Sequence, residues 1–315
     1  MSSASTLIRR TAIRDYGVYL ALIVLVVVNV VITPNFITTD NLRTQLVQVV
    51  PTLVVALGMA LVIGTEGIDL SVGSVMAIAA ALLPLYLGYG VVASILVCLV
   101  AGALAGLLNG SLVTFAGVQP IVATLALLVG GRGLALVIAN GQLKQLYNPD
   151  LLALGSSSVI GIPLTVLVAL VLVVIVALLV ERTTFGRQLV AVGGNRRAAE
   201  FAGLPVKRTL LTVYMLSGVF AAIAGVLASA RLTASDPSSL GLLIELSAIT
   251  AVVVGGTPLT GGRVRVIGTV AGALLMQLIS ATLIKHDVPA SVTQMLEAAL
   301  IAAAVLVQRE RRNGR

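Results

Sequence analysis

Charge is scarce in this chain of 315 residues: charged residues make up 10% of it and aromatics 3%, and tryptophan is absent. Soluble domains carry about 25% charged residues, and so few cannot coat a water-soluble globule of this length. A soluble enzyme is excluded, and so is a disordered chain, which would be polar. Cys98 is the one cysteine, which excludes a disulfide framework and any multi-thiolate metal site. His286 is the one histidine, which excludes most zinc constellations and argues against histidine-based catalysis. The net charge of +8 would suit nucleic acid. The lack of aromatics argues against that partner, and the basic residues flank apolar runs, as cytoplasmic loops do.

What is abundant is apolar: 58% of the residues are hydrophobic and the mean hydropathy is +1.11. This is the composition of a polytopic membrane protein. A helix needs about 20 mostly apolar residues to cross the hydrocarbon core. Candidate runs lie at about 16–34, 47–64, 72–88, 91–113, 121–139, 162–180, 209–230, 245–256, 264–284 and 291–308, the third and eighth being short. None alternates as a membrane barrel strand does, and backbone in lipid must satisfy itself. The reading is an all-α, polytopic membrane helical bundle of about ten transmembrane helices, broken or short around 64–73 and 255–263. Arg9, Arg10 and Arg14 resemble the charged start of a signal peptide. The apolar stretch after them is too long, and Thr33-Pro34-Asn35-Phe36 is no cleavage site, so the first run reads as a retained helix.

With ten spans and an inner N-terminus, fifteen Lys and Arg fall in interior segments and four (Arg43, Lys144, Arg231, Lys285) in exterior ones, while Arg132 lies within a span. Basic residues favour the cytoplasmic side, so both termini are expected there. Residues 1–15 then form a cytoplasmic segment, 16–308 one transmembrane domain, and 309–315 a basic cytoplasmic tail. Small residues recur every four positions at Gly102, Gly106 and Gly110, at Ser217, Ala221, Gly225 and Ser229, and at Gly268 and Gly272. Such stripes let helix backbones approach in lipid.

Three interruptions break the apolar pattern. Residues 64–73 place Glu66, Asp69, Thr65 and Ser71 among glycines, which reads as a capped break between helices or as part of a transport path. Asp69 and Ser71 suit the N-terminus of the helix that follows. Residues 255–263 resemble it: Leu70-Ser71 and Leu259-Thr260 each stand before glycine ahead of a helix, which hints at a parallel repeat, coincidence being the alternative. The third is the loop 181–208. There Asn195 can cap a short helix over Arg196–Ala202, Gly203 suits its C-terminal turn and Pro205 stops it. So short a helix is marginal alone and needs a bundle end or a partner to pack on; a solvated basic loop is the alternative. Each lysine follows a non-glycine residue (Leu143, Val206, Ile284), so there is no phosphate-binding loop. If transport is ATP-driven, the ATPase is a separate chain.

Within this frame the residues Glu66-Gly67-Ile68-Asp69-Leu70-Ser71-Val72-Gly73-Ser74 resemble the signature of permease subunits of bacterial ribose-, xylose- and galactose-type ABC importers. The resemblance continues through Asn109-Gly110, Gln119-Pro120-Ile121-Val122-Ala123-Thr124-Leu125 and Gly131-Arg132-Gly133. It runs on to Gly186-Arg187, Val192-Gly193-Gly194-Asn195, Ala198-Ala199, Gly255-Gly256-Thr257 and Gly261-Gly262-Arg263. It covers about residues 15–308. Gln119-Pro120, Gly141-Gln142, Asn148-Pro149-Asp150-Leu151 and Leu246-Ser247-Ala248-Ile249 look closest to galactofuranose-type permeases. Thr65-Glu66 departs from the family, where Gly-Gly or a similar pair is usual.

The resemblance implies a bacterial inner-membrane permease paired with a second permease, identical or homologous. Two cytoplasmic ATPase domains would carry ATP and Mg, and a periplasmic binding protein would deliver the sugar. No cofactor or metal is expected on this chain, and no covalent chemistry. By matching position the loop would couple to the ATPase through Gly186, Arg187, Gly193, Gly194, Asn195, Arg196, Arg197, Ala198, Ala199, Glu200, Gly203 and Pro205. Candidates for the translocation path are Glu66, Asp69, Ser71, Asn109, Gln119, Arg132, Gln294 and Glu297. Arg132 either lines the path or pairs with Glu245, Glu297 or backbone carbonyls, because a charge within a span faces protein or water. His286 beside Asp287 reads as solvated and Cys98 as a small buried apolar residue. Asn140, Gln142 and Asn148 lie outside, as plain polar loop or as contacts for the binding protein. The rival readings are a branched-chain amino acid permease of the same superfamily, an ion-coupled secondary carrier, and a structural membrane protein.

Overall fold

The computed structural model describes residues 2–289 and then 291–292, 294–296, 298–299 and 302, with side chains from Gly17 onward. The chain is almost entirely helical: α1 (Ser2–Ile32), α2 (Thr39–Gly64), α3 (Val72–Tyr86, prolonged by a 3-10 turn Leu87–Tyr89), α4 (Val91–Thr114), α5 (Pro120–Ile138), α6 (Pro149–Ser156), α7 (Leu164–Arg182), α8 (Thr184–Gly194), α9 (Arg196–Phe201), α10 (Val206–Leu232), α11 (Ile244–Val254) and α12 (Val266–Lys285). The described residues between 291 and 302 are helical too. Glu297 and the basic tail 309–315 lie outside the described residues. Seven helices among the described residues are long and apolar enough to cross a membrane: α2, α3 with its 3-10 turn, α4, α5, α7, α10 and α12.

Helix α2 is the axis. Every residue from Val49 to Gly64 except Thr52 is buried, with α10, α11, α12 and α7 packed around it. Helix α10 lies in turn on α4 and α3. What lets these backbones meet is the absence of side chains. A Cβ on Gly102 would stand 2.4 Å from the Gly218 carbonyl oxygen, and one on Gly106 2.2 Å from that of Tyr214, so α4 and α10 touch along bare backbone. Gly110 is closely set against Leu211, and Gly225 meets the Met76 carbonyl of α3. Gly268 and Gly272 of α12 lie against the carbonyls of Gly255 and Ala251, at the end of α11. With little hydrophobic drive between helices in lipid, this close van der Waals contact is what the bundle gains.

Two stretches expected as loop are helical. Between Asn140 and Pro163, Asn148 caps α6: its side-chain oxygen accepts from the Asp150 and Leu151 amides at 3.1 and 3.3 Å, with Pro149 at the first helical position. Asn148 is thus engaged by its own helix. Short antiparallel pairings, Lys144–Gln145 with Ala234–Ser235 and Ser158–Val159 with Ile162–Pro163, complete that end of the bundle. The loop 181–208 holds two helices where one was expected: α8 precedes α9, entered through Thr183, whose hydroxyl accepts from the Gly186 amide at 3.2 Å.

The eighth expected run is the short α11. Its 11 residues rise about 16 Å, about half the hydrocarbon thickness. The rest of that crossing is irregular. From the Ala234–Ser235 pairing the chain turns back into the bundle, so that a Cβ on Gly73, in the first turn of α3, would meet the Gly241 carbonyl at 2.3 Å.

Candidate functional site

Non-helical backbone at membrane depth survives only where protein satisfies it, and the irregular segment before α11 is held by Arg132. From the middle of α5 the guanidinium donates to the carbonyls of Pro237 at 2.8 Å and Leu240 at 2.7 Å, and to that of Gly73 at 3.4 Å. Of the partners expected for Arg132, it hydrogen-bonds backbone carbonyls and interacts electrostatically with Glu245, while Glu297 lies outside the described residues. Glu245, in the first turn of α11, is buried beside this contact, its Oε2 2.7 Å from where a Cβ on Gly73 would lie.

The break at 64–73 is a second buried polar centre. Helix α2 ends as Thr65 turns its hydroxyl back onto the Val62 carbonyl at 2.8 Å, and Glu66 takes a left-handed φ of 65°. That conformation favours glycine, and here Glu66 adopts it. The Glu66 side chain is exposed. Asp69, Ser71 and Asn109 come together as one network. Asp69 Oδ1 accepts from the Ser71 amide at 3.0 Å and hydroxyl at 2.6 Å. Its Oδ2 accepts from the Ser217 hydroxyl of α10 at 2.7 Å, and Asn109 of α4 donates to the Ser71 hydroxyl at 2.8 Å. All four residues are buried. Hydroxyl bridges tie the break to α5 as well: Ser74 donates to the Leu127 carbonyl at 2.9 Å and Thr124 to that of Ile68 at 3.2 Å. Gln119, exposed at the head of α5, and Gln294, exposed on the last described helical stretch, stand apart from this network.

The three interruptions read from the sequence meet at one point. The Gly262 amide donates to the Gly64 carbonyl at 3.0 Å, joining the break after α11 to the end of α2. Gly193, near the end of α8, lies on that bond: a Cβ there would stand 1.9 Å from the Gly64 oxygen and 2.6 Å from the Gly262 nitrogen. Gly261 faces the Glu66 amide and the Gly193 carbonyl, each 2.8 Å from a Cβ built on it. Below this junction, the Asn195 side chain caps α9 by accepting from the Ala198 amide at 2.9 Å, and Gly203 takes φ 75° before Pro205. Ala199 buries α9 against Val192, Val206 and Leu210. Outward, α8 and α9 present Arg187, Arg197, an exposed Arg196–Glu200 pair at 3.7 Å and Phe201, which is 93% exposed, with Lys207 and Arg208 exposed in the first turn of α10. Phe201 was not among the residues picked from the sequence. A large aromatic between a helix stop and a basic run was the available signal.

Among the described residues no group of His, Cys, Asp and Glu is placed to hold a metal ion.

Residues 41–305 match the family described as the branched-chain amino acid transport system permease component. The chain belongs to this family. The permease is 41% identical over 83% of its length to the galactofuranose transporter permease protein of Escherichia coli, covering 77% of that chain. It is 40% identical over 81% of its length to the fructose import permease protein of Bifidobacterium longum, covering 74% of it. Against the ribose import permease protein of Escherichia coli it is 35% identical, over 93% of this permease and 92% of that one. No solved structure matches the permease. It is a multi-pass membrane protein, and its relatives are permease subunits of transporters.

Proposed function

We propose that this chain is the permease subunit of an ATP-binding-cassette importer in the bacterial inner membrane, passing a monosaccharide handed over by a periplasmic binding protein. The observation that carries the proposal is the 35–41% identity to permeases named for galactofuranose, fructose and ribose, spread along most of the chain. ATP and Mg belong to a separate ATPase, since this sequence has no phosphate loop. A second permease, identical or homologous, completes the assembly. The family's description names branched-chain amino acids. A zwitterion would call for a countercharge in its path, whereas Arg132 of α5 is committed to three backbone carbonyls.

In this reading α8 and α9 dock on the ATPase. The face is suited to it: cationic, with Phe201 as the aromatic anchor that interface hot spots favour. Closure of the ATPase pair on ATP moves α8 as a rigid element. Because Gly193 rests on the Gly64–Gly262 bond, that movement reaches the ends of α2 and of the α11 break together. Reconstitution of the chain with its ATPase and binding protein in proteoliposomes tests the function. ATP-dependent uptake of a labelled monosaccharide, and not of leucine, is expected; leucine uptake without sugar uptake refutes it.

A further inference from the structure

The long helices of this bundle turn aliphatic residues or glycine outward along their middles: Val27 on α1, Leu104 on α4, Val129 on α5 and Val174 on α7 are examples. Among the described residues one face departs from that rule. On α2, Gln45 is half-buried and Gln48 exposed, and Gln277 of α12 lies beside them, half-buried. The Gln277 amide donates to Gln45 Oε1 at 3.1 Å and to Gln48 Oε1 at 2.9 Å. Gln277 stands eight residues from one end of α12 and eleven from the other. In a helix that just spans about 30 Å of hydrocarbon, this is the middle. Three amides opened to lipid there would each forgo hydrogen bonds that nothing apolar replaces. Their neighbour on the open side is therefore water or protein.

We infer that the Gln45–Gln48–Gln277 face is a wall of the sugar's path, water-filled and closed on its far side by the second permease. This rests on the transport reading above and deepens it by naming a site. The chemistry fits a neutral, polyhydroxylated ligand. Gln277 has given its amide hydrogens to the other two, so the wall offers the Gln45 and Gln48 NH₂ groups as donors and the Gln277 carbonyl as acceptor. A sugar hydroxyl both donates and accepts. No charge stands among the three, so the wall holds a sugar weakly and lets it pass. Pairing across α2 and α12 also makes the wall move when the two helices move, and both lead to the glycine junction at their other ends.

The test uses the complete importer in proteoliposomes. Gln48→Cys is treated from outside with a positively charged methanethiosulfonate, beside Leu104→Cys on the lipid-facing side of α4. The native Cys98 is buried against the Ala79 carbonyl and gives the background. Gln48→Cys is expected to react at least tenfold faster than Leu104→Cys, and more slowly while sugar is being transported. In parallel, Gln48→Leu combined with Gln277→Leu is expected to lower uptake about tenfold, the worth of a hydrogen bond or two, with the ATPase rate and the melting temperature kept. A Gln48→Cys that reacts no faster than Leu104→Cys in resting, ATP-bound and vanadate-trapped complexes overturns the inference. So does full uptake by the double leucine variant. Sugar uptake by the unmodified importer is measured in the same vesicles: its absence refutes the transport reading, whereas uptake with an unreactive Gln48→Cys refutes the wall alone.

Discussion

Replacing Gly193 by alanine tests whether the glycine junction carries movement from the loop into the bundle. The added methyl would lie 1.9 Å from the Gly64 oxygen, where contacts below 3.0 Å essentially do not occur, so α8 and α2 must separate there by about 1.1 Å (3.0 less 1.9). Neither obstacle is a side chain that can swing aside; one is a carbonyl and the other the Gly262 amide bonded to it. Overpacking of this kind costs about 1–3 kcal/mol, and loosening the Gly262–Gly64 hydrogen bond adds about 0.5–1.5 kcal/mol. At roughly 1.4 kcal/mol per factor of ten, even 2 kcal/mol biases the conformational equilibrium about thirtyfold. The exposed face of α9 is untouched, so Gly193→Ala is expected to bind the ATPase normally and to hydrolyse ATP while importing at least tenfold less sugar per ATP. Gly194→Ala is the control: a Cβ there meets nothing within 4 Å, and the residue closes a helix in which alanine is favoured over glycine. Uptake per ATP in proteoliposomes, with thermal melting of the detergent-solubilised complex, reads both. Full coupling in Gly193→Ala, or equal damage in Gly194→Ala, refutes the reasoning.

Phe201→Ala is expected to weaken ATPase association by about 2 kcal/mol or more, the scale of an aromatic hot spot, while the chain still inserts; titration of detergent-solubilised permease with ATPase measures it, and unchanged affinity rules out the docking role. Arg132→Met strips hydrogen bonds from three buried carbonyls and should destabilise the fold by about 3 kcal/mol, since each bond to a charged group is worth about 1.5–3 kcal/mol and such terms do not simply add. A melting temperature unchanged from wild type would contradict that assignment. Asp69→Asn replaces one of two accepting oxygens by a donor facing hydroxyls, and should lower the melting temperature more than Ser217→Ala, which removes one bond worth about 1 kcal/mol; the reverse order would mean that the carboxylate is not the centre of its network.

The features legible in the sequence were those fixed by local backbone chemistry. Asn195, Gly203 and Pro205 delimit α9 because a cap, a left-handed turn and a missing amide act within a few residues. The same rules operate at Asn148-Pro149-Asp150, a stretch expected as polar loop that the cap turns into α6. Helix α8 was not readable, because Gly186, Gly193 and Gly194 lower helix propensity. Gly186 and Gly193 are there for contacts with the Val180 and Gly64 carbonyls that only the folded bundle creates. Ser217 appeared as one step of a small-residue stripe, and it is also the partner of Asp69, 148 residues away. Nor does a sequence say which side of an apolar helix faces lipid, so Gln45, Gln48 and Gln277 became distinctive only once their exposure was set beside the aliphatic faces of the other helices.

If α8 carries movement from the ATPase as proposed, a junction made of glycine is what that transmission calls for. A contact between side chains has rotamers to absorb a displacement of an ångström; a contact between an α carbon, a carbonyl and an amide has none. At Gly193 the end of α8 bears on the backbone of Gly64 and Gly262, so a shift of the loop either moves the ends of α2 and of the α11 break or breaks their hydrogen bond. The start of α3 and the irregular segment that leads into α11 also meet backbone to backbone, with Gly73 against Gly241, and Arg132 binds the carbonyls of Pro237, Leu240 and Gly73. In the proposed coupling, a movement admitted at the glycines arrives at the middle of the bundle as a relative displacement of α3 and α11. Arg132 binds both segments and holds them together with those three carbonyls satisfied.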